Sequence, residues 1–304
     1  MSSSIILFVL SSLIWGSTFW AITLQLGHVA PTVSVAWRFM LAAATLFAFC
    51  ALRRQKLWLP WATQRWIMAQ GGMSFGLSYV CTYLSEQYLV SALVSVLFSL
   101  MVIWNPLGEK LAFGRPLPRS IWYGAALSMP GILMLFAQPL TETWRNLQAG
   151  ALMQQSTFWL GLGLALLATF ASTAGNILVV QVRKHHADVF LTTAWGMAWG
   201  SLMVAAYSVL NGDSWTLPSS PTYWASLIYL SLFGSVIAFS AYFILIHRWG
   251  GHKAVYVGVI TPIISVLLSM RFEHFQPGWI ELAGMLLCLA GVVLVLRAEN
   301  KAAA

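Results

Sequence analysis

Rings, hydroxyls and amides, rather than charged groups, carry most of the chemistry this chain offers. Tyr79 and Tyr83 stand one helical turn apart, so their rings and hydroxyls share one side of a helix. Ser235, Phe239 and Tyr242 repeat that arrangement later in the chain. Ser91, Ser95 and Ser99 form a stripe of small hydroxyls, and Ala254, Gly258, Thr261, Ser265 and Ser269 answer it. Such stripes either pack helices closely or line a path, and the residues alone allow both. Asn176 lies inside an apolar run beside Ser172 and Thr173. An unsatisfied amide there is costly, so it serves an interhelical hydrogen bond or the polar end of a zwitterion. Non-covalent recognition of an amphipathic small molecule is the chemistry this set supports.

Ionisable groups are scarce. Arg38 sits inside an apolar run, where an arginine costs about 2.5–3.5 kcal/mol on insertion scales. It either reaches the interface, pairs structurally, or anchors a carboxylate. Glu281 falls near the outer end of the last run, within reach of water or headgroups, and Glu86 sits at an outer helix end. His247 neighbours Arg248 and reads as a loop residue. With no acid inside the runs that carry the tyrosines and serines, facilitated passage is favoured over proton antiport. The clusters His185-His186-Asp188 and His247-Arg248-His252 lack the further acidic group a metal or catalytic centre needs. No catalytic residue, metal or cofactor is therefore expected. Cys50, Cys81 and Cys288 have neither metal spacing nor a disulfide pattern and read as buried thiols.

The elements that hold these groups follow from composition. The 304 residues are 59% hydrophobic and 8% charged, with mean hydropathy +0.78. That excludes a soluble domain and predicts an all-α integral membrane protein. Ten apolar runs are read at roughly 4–26, 32–52, 66–85, 89–108, 119–138, 157–181, 188–210, 221–246, 253–271 and 278–297. Each approaches the ~20 residues that cross the hydrocarbon as a helix. The first has no basic region before it and is too long for a cleaved signal. All but Arg38, Arg145 and Arg271 of the 16 Lys and Arg fall on alternate loops. The positive-inside rule then places both termini in the cytoplasm of an inner, plasma-membrane protein. Cytoplasmic loops account for the net charge of +8, and no nucleic-acid partner is needed.

The second half repeats the first. Trp15-Gly16-Ser17 returns as Ala174-Gly175-Asn176, offset by 159. Trp37 returns as Trp195, Phe75-Gly76 as Phe233-Gly234, and Tyr83 as Tyr242. Ala92 answers to Ala254, and Gly124 and Gly131 to Gly284 and Gly291. With the alternation of charge, this predicts two inverted-topology five-helix repeats, 1–140 and 157–304, joined by a periplasmic connector at 141–156. Inverted repeats are a mark of secondary transporters.

Fourteen of the sixteen tryptophans divide into two groups. Trp58, Trp61, Trp66, Trp144, Trp215, Trp224, Trp249 and Trp279 sit at run ends and suit an interfacial belt. Trp15, Trp20, Trp37, Trp104, Trp195 and Trp199 lie deeper and either pack or wall an aromatic cavity. Pro106, Pro130 and Pro262 interrupt runs, giving static bends or swinging points.

The chain resembles the drug/metabolite transporter superfamily, in its ten-helix branch with two EamA-type repeats. The residues that carry the likeness are Trp15-Gly16-Ser17, Arg38-Phe39, Gly108-Glu109-Lys110-Leu111, Gly124 and Gly131 in the first half. Tyr242, Gly250, Ala254, Pro262, Gly284 and Gly291 carry it in the second. Arg271-Phe272-Glu273 departs from the family's usual Gly-Glu-Arg, and Leu100 stands where the other half has Pro262. The resemblance implies a substrate path between the halves, lined by helices 1–4 and 6–9, with 5 and 10 in support. On that mapping Trp15, Tyr79, Tyr83, Ser95, Ser99, Trp104, Asn176, Tyr242 and Thr261 are the candidate binding residues. Pro106 and Pro262 are the candidate gates. The expected role is export of amino acids or similar amphipathic metabolites by alternating access, as in the family's amino acid and aromatic amino acid exporters. A proton-coupled multidrug carrier is the alternative, and a membrane enzyme on lipid-linked substrates the remote one. The expected partners are a small-molecule substrate and the lipid bilayer, with a monomer sufficient.

Overall fold

A computed structural model describes residues 2–89, 91–114, 119–135, 137, 141, 145, 152–184, 188–272 and 278–298. Helix α1 spans Ser2–Thr23, and α2 spans Pro31–Leu52 with proline at its start, where the missing N–H costs nothing. Helix α3 covers 61–85 as Trp61–Gly71, a π stretch Gly72–Leu77, and Ser78–Ser85. Helices α4 (Ser91–Phe98) and α5 (Met101–Phe113) are separated by a turn at 99–100. Then come α6 (Arg119–Leu135), α7 (Leu152–Arg183) and α8 (Val189–Leu210). Helix α9 covers 221–249 as Pro221–Tyr229, a second π stretch Leu230–Ile237, and Ala238–Trp249. The short α10 (Gly251–Ala254), α11 (Val257–Phe272) and α12 (Trp279–Ala298) follow. No strand occurs among the described residues.

Local chemistry sets several ends. Asp188 caps α8, its carboxylate accepting from the Phe190 and Leu191 amides at 2.9 and 3.1 Å. That is the role of the acidic member of the His-His-x-Asp cluster; His185 and His186 lie outside the described residues. Ser220 caps α9. Gly114 (φ +65°) ends α5 and Gly250 (φ +84°) links α9 to α10, both in backbone that other residues resist. Outside the helices, Asp213 accepts from Thr32 at 2.6 Å and from Asn211 at 2.9 Å. The Thr32 hydroxyl, above all, holds its carboxyl below the usual range.

Among the described residues, six helical stretches are long and apolar enough to cross a membrane, one of them Val94–Phe113 across the α4–α5 turn. Helix α3 is not among them because Gln64, Gln70, Ser74, Ser78 and Thr82 dilute it, and all five are buried against protein. The apolar runs read at 89–108 and 253–271 are therefore not single helices. Each carries a turn that its unbroken hydrophobicity conceals. Helix α3 starts at Trp61, before the run read there, and α7 starts at Leu152, inside the connector. The polar connector residues Glu142, Thr143, Asn146 and Gln148 lie outside the described residues.

The helices meet through glycine. On α8, Gly196 and Gly200 are one turn apart and both press on α3. A methyl group added at Gly71 would strike the backbone of Gly196, and one at Gly200 would lie 2.7 Å from the Gly71 carbonyl. Close backbone approach of this kind is how helices associate where lipid removes the hydrophobic drive. On α6 and α12 the contacts are reciprocal. A methyl at Gly131 would lie 2.6 Å from the Gly284 carbonyl, and one at Gly291 would lie 2.8 Å from the Gly124 carbonyl.

Pro262 shows how a break is made good. It has no N–H for the Gly258 carbonyl, four residues earlier. The Ser99 hydroxyl, in the α4–α5 turn, donates to that carbonyl at 2.7 Å. Ser99→Ala should orphan it and cost about 1–3 kcal/mol, read as a lower Tm in detergent. Ser99→Thr, which keeps the hydroxyl, should lose less; equal losses would mean the bond contributes nothing.

Candidate functional site

A cavity of about 730 Å³ of empty space, its open part included, lies between α1, α3, α4, α5, α7, α9 and α11. Trp15, Phe19, Tyr79, Phe98, Phe239 and Tyr242 make an aromatic wall. The Trp15 ring lies 4.9 Å from Phe239 and 4.8 Å from Tyr242, centre to centre. Its indole N–H donates to the Gly234 carbonyl at 3.2 Å, which pins the ring to the π stretch of α9. The polar lining is sparse. Asn176 donates from Nδ2 to the Tyr242 hydroxyl at 3.0 Å. Thr18, Ser74, Thr82, Ser172 and Thr261 supply hydroxyls. The cavity thus has apolar walls with a few fixed polar groups, the usual make-up of a small-molecule site.

Of the residues singled out from the sequence, Trp15, Tyr79, Asn176, Tyr242 and Thr261 line this cavity. Tyr83, Ser95 and Ser99 are buried beside the wall without lining it. Tyr83 donates to Gln25 Oε1 at 3.1 Å and accepts from Arg38. Trp104 is elsewhere: its ring packs at 4.8 Å on Phe170, itself 48% exposed on the outer surface. Pro106 and Pro262 are buried within α5 and α11.

Arg38 does not reach the interface. It is 0% exposed. Its Nε donates to the Ser235 hydroxyl at 3.0 Å and its Nη1 to the Tyr83 hydroxyl at 3.4 Å. Its guanidinium carbon lies 4.6 Å from the centre of the Tyr79 ring. Glu86 and Glu281, expected at aqueous ends, are 6% and 4% exposed. His247 is not in a loop: it occupies the last turn of α9 and lines a second, smaller cavity with Gln70, Thr192 and Thr193.

The EamA-like transporter family model matches residues 2–137 and 159–297. The chain belongs to that family. Several relatives of this EamA-like transporter carry transporter names. An "Uncharacterized transporter" of Archaeoglobus fulgidus is 24% identical over 99% of both chains. The "Uncharacterized inner membrane transporter YedA" of Escherichia coli K12 is 27% identical over 93% of this chain and 87% of its own. The "Uncharacterized transporter YoaV" of Bacillus subtilis is 22% identical over 93% of each. A crystal structure of another protein shares the fold, with TM-score 0.74, 17% identity and 97% of both chains covered. This EamA-like chain is therefore a multi-pass membrane transporter.

Several wall residues of the EamA-like cavity escaped sequence reasoning. Thr18, Phe19 and Ile22 follow Trp15 at helical spacing and share its face, a signal that was present. Asn105, beside Pro106, does not line the cavity, but it is 1% exposed and lies beside Tyr242, which does. Its depth in a span was the available signal.

Proposed function

We propose that this protein is a carrier that moves amino acids or similar amphipathic metabolites outward across the plasma membrane by alternating access. The observation that carries the reading is the cavity, whose walls come from both halves and whose polar groups are few and pinned. An aromatic wall beside one Asn–Tyr pair suits a molecule with a flat apolar part and a compact polar head.

We read the chain as ten crossings, with α4–α5 and α10–α11 each acting as one broken span, and as two inverted repeats at 1–140 and 157–304. Four observations support this. The family matches two separate stretches, 2–137 and 159–297. The π stretches begin at Gly72 and Leu230, 158 residues apart. The helix breaks follow Phe98 and Ala254, 156 apart. The reciprocal Gly131–Gly284 and Gly291–Gly124 contacts are what a two-fold axis between halves produces. Alternating access then amounts to rocking one half against the other around the cavity. With the charge alternation, both termini lie in the cytoplasm.

The test is flux in proteoliposomes of the purified protein, using labelled aromatic, branched, small and charged amino acids and a cationic dye. Saturable flux of aromatic amino acids without a pH gradient is the expected result. A second reading, proton-coupled efflux, draws on Glu86, a buried acid near Tyr79, on the cavity wall, and Tyr83, beside it. Flux of the dye alone, collapsing when the gradient is dissipated, would replace the first reading with that one.

A further inference from the structure

Among the groups around the cavity, Arg38 stands out. Its hydrogen bonds go to neutral partners, Ser235 and Tyr83, and its guanidinium carbon lies 4.6 Å from the centre of the Tyr79 ring and 5.3 Å from that of Phe39. Its Nη2 is buried with no hydrogen-bond partner. The amide Nε2 of Gln25, joined to the same cluster through Tyr83, is also buried without one. Two buried donors left open in one cluster are costly when nothing accepts from them.

The position of Nη2 says where an acceptor would come from. A methyl group at Gly234 would lie 3.1 Å from Arg38 Nη2 and 2.8 Å from Thr18 Cγ2. Thr18 and Tyr79 are cavity walls. Tyr79 is the ring that Arg38 stacks against. The guanidinium therefore sits directly behind one end of the cavity, one side chain deep, with its open N–H at the seam between Thr18 and the bare Gly234. At such range, in surroundings of low dielectric, a full charge is felt across the wall.

We propose that Arg38 makes this end of the cavity selective for a carboxylate, so that the substrate class is amphipathic molecules bearing an anionic head against an aromatic or aliphatic body. The proposal rests on reading the cavity as the substrate site. The acid binds at the Thr18–Tyr79 end and its body lies along Trp15 and Phe239. The Asn176–Tyr242 pair lies elsewhere on the same wall and serves a neutral or ammonium group, which lets zwitterions bind in one orientation. Cations without a carboxylate are repelled.

Three probes of one shape and three charges test this: 3-phenylpropionate, 3-phenylpropanamide and 2-phenylethylammonium. Binding is read by thermal shift of the full-length protein in detergent, and transport by competition in proteoliposomes. The wild type should prefer the acid over the amide by about tenfold, equivalent to about 1.4 kcal/mol, with the ammonium weakest. Arg38→Gln should bring the acid down to the amide's level, and Arg38→Lys should keep part of the preference. Where Arg38→Gln fails to fold, Gly234→Ala serves instead, since its methyl crowds Nη2; it should narrow the acid-to-amide ratio. Glu86→Gln should keep or raise the ratio, because it removes the competing negative charge that acts on Tyr79 and Tyr83. Equal binding of acid and amide by the wild type overturns the proposal while leaving the cavity as a substrate site. So does a uniform loss of all three probes in Gly234→Ala. Failure of every probe to bind or compete overturns the cavity reading, and the proposal with it.

Discussion

Gly71→Ala should lower the stability of the protein and the yield of folded material. The added methyl would meet the Gly196 carbonyl oxygen in hard contact, and the Gly196 carbonyl carbon at 2.9 Å and Cα at 3.0 Å. Those are backbone atoms, so no rotamer change can make room. Helix α8 would have to move bodily, and its next turn presses on α3 through Gly200. Overpacking of this kind costs about 1–3 kcal/mol and occasionally more. At about 2–4 °C per kcal/mol, the expected fall in Tm is about 2–12 °C, with reduced monodisperse yield on size exclusion. Gly163→Ala is the paired control. Nothing lies within 4 Å of a methyl there, and it sits inside α7. Removing a helical glycine without collision should gain about 0.5–1 kcal/mol. The two substitutions are chemically identical, so effects of the same sign would refute the packing argument.

Trp15→Ala should give the largest loss of transport. The ring contributes wall to the cavity, packs on Phe239 and Tyr242, and is tied to the Gly234 carbonyl. Truncating a fully buried tryptophan costs about 3–5 kcal/mol in fold stability, and the partly buried Trp15 should cost part of that. Loss of function must therefore be separated from loss of protein by normalising flux to folded material. The expected result is at least about a tenfold fall in flux at low substrate, carried mainly by a raised KM, since the wall binds and does not react. Trp15→Phe should recover much of it, because the ring contacts survive while the N–H bond does not. Trp104→Ala is the comparison, because that ring packs on Phe170 away from the cavity. It should lower stability and leave KM alone. A raised KM in Trp104→Ala of the same size would mean that the wall has been misplaced.

Those two tryptophans show what the sequence could and could not convey. Both lie deep in apolar runs on helices expected to line a path, and nothing in their neighbours separates them. In a soluble protein the wet face of a helix is polar and marks the inner face by contrast. Here the outer face meets lipid and is as apolar as the inner one, so the pattern that would tell Trp15 from Trp104 is missing. The existence of helices was legible for the same reason that their faces were not. Arg38 was visible as an anomaly, but its partner Ser235 is 197 residues away and no local pattern could supply it. Glu281 reads as reaching water or headgroups from its place near a helix end, and tertiary packing buries it instead. The turns at 99–100 and 255–256 were hidden because a break inside the protein needs no polar residue when a neighbour such as Ser99 satisfies the backbone.

The π stretch of α3 has a consequence for how this span tolerates changes in length. A π turn holds one more residue than an α turn over nearly the same rise. Deleting one residue between Gly72 and Leu77 would let the stretch relax to α-helix. Because the π turn already absorbs the extra residue, the segments on either side would keep their facing: Gly71 would stay against Gly196, and Tyr79 and Thr82 would stay on the cavity. The same deletion in the α-helical stretch Ser78–Ser85 has no such slack and would rotate everything beyond it by about 100°. The π stretch is where this span can lose a residue without turning its substrate face away.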